Sequence, residues 1–277
     1  MQAVETSPTI HRTVVSDRRE PAAGISVVGL RAPLLAARTR PGQFVMAVPP
    51  GGEQAATALG VYEAEGERVS LMVFAVGTRT RVLADLPIGA ELDLLGPLGN
   101  GFELDALGDD VALVAGGVGI ASLLLPAREL VLRGARVDVL YGARTKASLV
   151  DEDRFAALGA RVVPATDDGS RGHRGFVTDL LRDRDRKFSG IAACGPTPML
   201  RAVASIAAEI GIPAQLSLEE AFACGVGACW GCVVALDRSS RQAPRFPPVG
   251  HLPGAPEFVY ARICKEGPVF WAHELRW

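Results

Sequence analysis

Three cysteines stand at Cys224, Cys229 and Cys232, spaced by four and then two residues, and Cys264 follows after 31 more. A short loop delivers three thiolates to one compact centre only by curling around it, and this spacing is that of a plant-type iron–sulfur site. Gly225, Gly227 and Gly231 lie between the cysteines. They allow left-handed backbone and let amide N–H groups turn toward sulfur. A structural zinc site pairs two close cysteines with another close pair or with histidines, which a triplet plus a single cysteine does not match. Cys224, Cys229, Cys232 and Cys264 are therefore assigned as the ligands of a [2Fe–2S] cluster. The fifth cysteine, Cys194, belongs to a Cys194-Gly195-Pro196 turn that closes the apolar run Ile191–Cys194.

A second glycine-rich turn, Gly116-Gly117-Val118-Gly119, follows the apolar run Val111–Ala115 and opens a helical stretch that reaches about Arg133. Two readings stand for it. Backbone amides in this context face a pyrophosphate, or the glycines let strand and helix pack closely. Ligands of open α/β sheets bind at the carboxyl ends of strands. Gly116, Gly117, Gly119, Cys194, Gly195 and Pro196 are therefore expected to line a nicotinamide crevice. Pro126, inside the helical stretch, should kink that helix or cap a short first segment.

The elements that must position these turns fall into three blocks. Up to residue 108 the pattern is one of short strands: 45–48 ended by Pro49-Pro50-Gly51-Gly52, 69–76, and 90–95 punctuated by Gly96-Pro97. Such spacing predicts a small antiparallel six-stranded-type barrel. Over 109–211, strands at 111–115, 137–141, 161–165 and 191–194 alternate with helical segments, which predicts a parallel-sheet dinucleotide-binding fold. Residues 197–210 read as an amphipathic helix with Leu200, Val203, Ile206, Ala207 and Ile210 on one face and Gly211 at its end. Residues 212–277 form a small module holding the cysteine cluster and a proline-rich stretch at 243–256.

Composition narrows the class. The 277 residues are 48% hydrophobic with 31 glycines and 19 prolines, a loop-rich chain able to bury real cores. A net charge of −2 with no long basic run gives no support to nucleic-acid binding. The longest uncharged run, 111–127, is 17 residues with three glycines and a proline, too short and broken to span a bilayer. An odd cysteine count and a polar start without an apolar core predict a cytoplasmic protein with reduced thiols and no membrane association.

The order barrel, dinucleotide fold, iron–sulfur tail resembles the electron-transfer subunit of dihydroorotate dehydrogenase, within the ferredoxin–NADP⁺ reductase superfamily. The stretches that carry the resemblance are RPGQFVMAVPP (40–50), LLGPLGNGFEL (94–104), VAGGVGIASLL (114–124), ATDDGSRGHRGFVTDLL (165–181), ACGPTPML (193–200), SLEEAFACGVGACWGC (217–232) and ICKEGPVF (263–270). The resemblance implies FAD on the barrel, NADH on the middle domain, and a cluster that passes electrons to a partner flavoprotein oxidising dihydroorotate. It also implies a heterotetramer and a place in pyrimidine biosynthesis. This chain would then be an oxidoreductase subunit, not the substrate-oxidising one.

One stretch departs from the family pattern. An Arg-Pro-x-Ser-like motif, whose arginine grips the FAD pyrophosphate and whose serine faces the reactive part of the flavin, aligns with Thr57-Ala58-Leu59-Gly60. A Gly-Thr pair reads Arg79-Thr80. Tyr62 and Thr80 remain as flavin candidates. Two readings stay open: FAD held through altered contacts, or an FAD-less iron–sulfur partner subunit that stabilises, or relays electrons to or from, a dihydroorotate-dehydrogenase-like enzyme in a specialised pathway. The spacer between Cys232 and Cys264 is also long for the family, an insertion that a surface loop absorbs at small cost.

Overall fold

The alternation of buried and exposed residues along 9–15 marks the first strand, with His11, Thr13 and Val15 turned inward. The structure, a computed structural model, describes residues 8–49, 55–183, 186–244 and 257–277. The strands β1 (Thr9–Ala22), β2 (Ile25–Arg31), β3 (Phe44–Val48), β4 (Thr57–Glu65), β5 (Arg68–Phe74) and β6 (Glu91–Leu98) close into an antiparallel barrel in the order β1-β2-β5-β4-β3-β6. Helices α1 (Pro33–Arg38) and α2 (Thr78–Ala84) connect its strands. Leu30, Val45, Val61, Leu71 and Leu94 fill the barrel. The Gly96-Pro97 pair does not end its strand: β6 runs on to Leu98, which pairs with Phe44 past an irregularity in register. A side chain at 96 would collide with Val45, so glycine is what lets the two strands stay in contact there.

The next block is built on β7 (Asp110–Gly116), β8 (Arg136–Ala143), β9 (Arg161–Thr166), β10 (His173–Arg174), β11 (Gly190–Cys194) and β12 (Ala214–Ser217). They pair in parallel in the order β10-β9-β8-β7-β11-β12. Val111–Ala115 and Ile191–Cys194 are all buried, as continuous apolar runs must be in a sheet covered on both faces. Helices α3 (Leu124–Leu132), α4 (Glu152–Ala157) and α5 (Thr197–Ile210) accompany them. Helix α5 spans the expected residues, and Gly211 ends it in the left-handed conformation, φ 72°. The glycine turn leads into a 3-10 turn over Gly117–Ser122 before α3 begins. Pro126 thus falls in the first turn of α3, where its missing N–H costs nothing.

Beyond residue 217 come β13 (Val233–Asp237), β14 (Phe258–Arg262), β15 (Val269–Trp271) and β16 (Leu275–Arg276). β14, β13 and β16 form a three-stranded antiparallel sheet, while β15 returns to pair antiparallel with β12 at the edge of the parallel sheet. Of the proline-rich stretch, 245–256 lies outside the described residues. Among the described residues no helix is long and apolar enough to cross a membrane.

A polar network clamps the barrel to the sheet. Asp151, at the start of α4, takes two hydrogen bonds from the Arg19 guanidinium and one, at 2.5 Å, from the Tyr62 hydroxyl. Arg154 of α4 pairs with Glu63 of β4, and Arg128 of α3 pairs with Glu65 at 2.8 Å. Burial opposes ionisation of Asp151, but the bonds from Arg19 and Tyr62 outweigh it and hold the carboxyl below its usual range.

Candidate functional site

The carboxyl ends of β7, β11 and β12 lie side by side: Cys194 is in register with Ala115 on one side and Ser217 on the other. The turns that follow are pressed together. A Cβ at Gly119 would fall 2.1 Å from the Cys194 carbonyl oxygen, and one at Gly116 would fall 2.8 Å from Pro196 and 2.7 Å from Met199. Gly195 is likewise closed in by Met199 and Gly116. At these positions glycine serves close packing. Gly117 differs: it is left-handed, φ 53°, and half-buried, and a Cβ there would meet open space.

Opposite these turns, the barrel edge completes a cleft of about 280 Å³. Phe44, Ala58, Leu59, Met72 and Phe74 form its apolar wall, and Gly60, Thr80, Val118 and Ser122 lie along its rim and floor. The far side comes from Ser217 at the end of β12 and from Leu218, Glu219, Glu220 and Phe222 after it. Phe222 packs against Phe44 with ring centroids 5.0 Å apart and the planes tilted by 52°. The cleft therefore lies between barrel, sheet and cysteine segment and draws on all three.

Its polar floor is a small cluster. Ser122, Ser217 and Glu219 line it, and the Cys194 thiol, fully buried behind the lining, donates to Glu219 Oε1 at 3.4 Å. Burial pushes the thiol well above its usual range, so it is a neutral donor and no nucleophile. The Glu219 carboxyl is open to the cleft, yet desolvation by the surrounding protein raises it as well. Ser122, Ser217 and Glu219 are absent from the sequence-based assignment. The legible signal for Ser217 and Glu219 was their position at a strand end, the same signal that singled out Cys194.

The two flavin candidates separate. Thr80 lines the cleft, but its hydroxyl is engaged with its own turn, accepting from Gly77 N and donating to Gly77 O at 3.0 Å each. Tyr62 is not on the cleft. It is fully buried, and its hydroxyl belongs to the Asp151 network that holds barrel and sheet together. Thr57, where the family motif has arginine, has a buried hydroxyl with no hydrogen-bond partner among the described residues. A cation does reach this corner: exposed Arg79 extends from α2 and donates to the Ala56 carbonyl at 3.3 Å.

The cysteines come together through two devices. β13 starts directly after Cys232, and Val233 pairs with Arg262, so the antiparallel pair closes the long spacer and lays Cys264 beside Cys232. Cys264 N donates to Cys232 Sγ at 3.5 Å, and Ile263 N donates to the Cys232 carbonyl at 2.7 Å. At the other end, Gly225 and Gly227 are left-handed, φ 69° and 80°, and curl the loop around Cys224. Burial works against its thiolate, but amides of Cys229, Val226 and Ala228 and the Cys229 thiol bring Cys224 down to about 6. Cys232 and Cys264 are thus in direct contact, while Cys224 and Cys229 lie in the loop that precedes them. Among the described residues no three ligating side chains meet at one point to hold a single ion. Arg262 braces the loop, donating to the Gly227 carbonyl at 2.8 Å and stacking 4.4 Å over Trp230.

The electron transfer subunit of dihydroorotate dehydrogenase B (NAD(+)) from Bacillus caldolyticus is 43% identical over 201 residues, 72% of this chain and 70% of its own length. The subunit of that name from Caldanaerobacter subterraneus subsp. tengcongensis is 34% identical over 238 residues, 86% of this chain and 87% of its own. This chain belongs to that family. No family model matches the chain. Among solved structures, a chain of the NADH-dependent reduced ferredoxin–NADP oxidoreductase, described in terms of flavin-based electron bifurcation, superposes with TM-score 0.79 at 28% identity, covering 96% of this chain and 90% of its own. A ferredoxin NADP⁺ reductase from Neisseria gonorrhoeae with bound FAD and NADP shares the fold, with TM-score 0.62 at 19% identity over 73% of this chain and 92% of its own. Of Thr57, Gly60 and Arg79, Gly60 lines the cleft and the other two lie outside its lining.

Proposed function

We propose that this subunit carries electrons from NADH through FAD and a [2Fe–2S] cluster to a dihydroorotate-dehydrogenase-type flavoprotein. The observation behind this reading is the continuity of cleft and cysteine loop. Phe222 lines the cleft, and only Ala223 separates it from Cys224. Two residues of chain reach at most about 7 Å, so a group stacked against Phe222 and an iron on Cys224 are near neighbours. FAD, when bound, takes a two-electron hydride and gives up single electrons, the form a [2Fe–2S] cluster accepts.

The chain's own residues fit those groups. The apolar wall of Phe44, Leu59, Met72 and Phe74 suits a planar ring and keeps water from it. Arg79 offers the pyrophosphate the positive charge that Thr57 lacks, so the altered barrel favours retained FAD over an FAD-less subunit. Gly117 presents open backbone where a dinucleotide phosphate would approach, beside the turn at Cys194, Gly195 and Pro196 that marks the nicotinamide crevice. Cys224, Cys229, Cys232 and Cys264 would hold the cluster. In this scheme the segments 1–108, 109–211 and 212–277 carry flavin, nicotinamide and cluster in turn. The assembly is a heterotetramer in the cytoplasm, where the thiols stay reduced.

The test is anaerobic mixing of NADH with the subunit and its partner while the visible cluster absorbance is followed. Bleaching within the time of one turnover is expected. Bleaching only after addition of a reduced partner or ferredoxin would reverse the direction of flow and overturn the reading.

A further inference from the structure

β4 has no side chain where it faces the floor of the cleft. A Cβ built on Gly60 would lie 2.8 Å from Ser122 Oγ, closer than such contacts occur in proteins. The space that a residue at 60 would use is therefore already taken, and a hydroxyl takes it. Both residues line the cleft. They come from different halves of the molecule: Gly60 from the barrel, paired with Phe44 across the strands, and Ser122 from the last position of the 3-10 turn that follows β7. The two halves meet here with one hydroxyl between them, and the steric fit allows only one.

We propose that Ser122 is the cleft's hydrogen-bonding hydroxyl toward the flavin, taking over from the sheet side the position that β4 leaves vacant at Gly60. This rests on the reading of the cleft as the FAD site. Its attachment to the sheet side changes which groups surround the hydroxyl. On a barrel strand it would stand apart from the groups at the sheet ends. On the 3-10 turn it shares the cleft lining with Ser217 and with Glu219, whose carboxylate accepts from the Cys194 thiol at 3.4 Å. Hydroxyl and carboxyl are then both presented from outside the barrel, and the barrel contributes the apolar wall.

The test uses the full chain reconstituted with FAD and four proteins: wild type, Ser122→Ala, Gly60→Ser, and the double variant Gly60→Ser with Ser122→Ala. FAD affinity is read from flavin fluorescence quenching, and the flavin midpoint potential and absorption spectrum from anaerobic titration. Ser122→Ala should weaken FAD about fivefold, the loss of one neutral hydrogen bond, and should shift the potential and the spectrum while the melting temperature stays unchanged. Gly60→Ser alone should lower the melting temperature, because its Cβ meets Ser122 Oγ. The double variant should recover both melting temperature and flavin properties, with the hydroxyl back on the barrel. Wild-type affinity, potential and spectrum in Ser122→Ala would overturn the proposal, as would a double variant no better than Ser122→Ala alone. A wild-type chain that takes up no FAD would overturn the flavin reading and this proposal with it. FAD uptake that is indifferent to position 122 would overturn the proposal and leave the flavin reading standing.

Discussion

At the scale of single residues, the proposed flavin site draws its positive charge from the exposed Arg79 guanidinium, which reaches the Ala56 carbonyl beside Thr57. Charge-assisted bonds to phosphate are stronger than neutral ones. Arg79→Ala should therefore weaken FAD about tenfold in fluorescence titration, with little change in melting temperature. An unchanged affinity would remove Arg79 from the flavin site. Cys229 is exposed, and its thiol lies against Cys224. Cys229→Ser should abolish the visible iron–sulfur spectrum, and a preserved spectrum would refute the ligand set. The cysteine spacing was fully legible in the sequence because ligand geometry is encoded in a short loop. Tyr62 was not legible in the same way. Its motif neighbourhood pointed to the flavin, but its hydroxyl is committed to Asp151, a partner 89 positions away that no local pattern reveals.

At the scale of elements, the two glycine-bearing turns act as one packed unit. Gly119→Ala would drive a methyl group to within 2.1 Å of the Cys194 carbonyl oxygen. Overpacking against backbone costs about 1–3 kcal/mol, so the melting temperature should fall clearly. Gly117→Ala meets no neighbour, and its cost, about 1 kcal/mol, should come from the left-handed φ of 53° alone. Equal losses for the two variants would contradict the packing account. The sequence held both readings of this loop open, packing or phosphate, and the structure divides them by position: Gly116 and Gly119 pack, and Gly117 is open. Strands with continuous apolar runs and the amphipathic helix Thr197–Ile210 were readable from periodicity. The extension of β6 through Gly96-Pro97 was not, because a glycine–proline pair usually ends a strand, and only the neighbouring Val45 shows why glycine fits there.

At the scale of the whole molecule, three chain segments meet at one cleft, and the Asp151 network ties the first of them, the barrel, to the second, the sheet. Asp151 has left-handed backbone, φ 59°, which asparagine tolerates, so Asp151→Asn removes the charge without adding strain. Asp151 is buried but Arg19 is partly exposed, so losing the charge should cost about 1–2 kcal/mol at neutral pH. The carboxyl is held below its usual range when folded, so its contribution is present above the ordinary carboxylate pKa and lost as pH falls through the lowered value. The stability gap between wild type and Asp151→Asn should accordingly narrow in acid. A gap that stayed constant with pH would contradict the ion-pair account. The central claim, that flavin and cluster share this chain, is tested most directly by purifying it anaerobically with its partner and measuring iron, sulfide and flavin bound to this subunit. The account predicts about two irons and two sulfides per chain, the content of one [2Fe–2S] cluster, with an equimolar amount of FAD. Iron and sulfide without flavin, or zinc in place of iron, would contradict it.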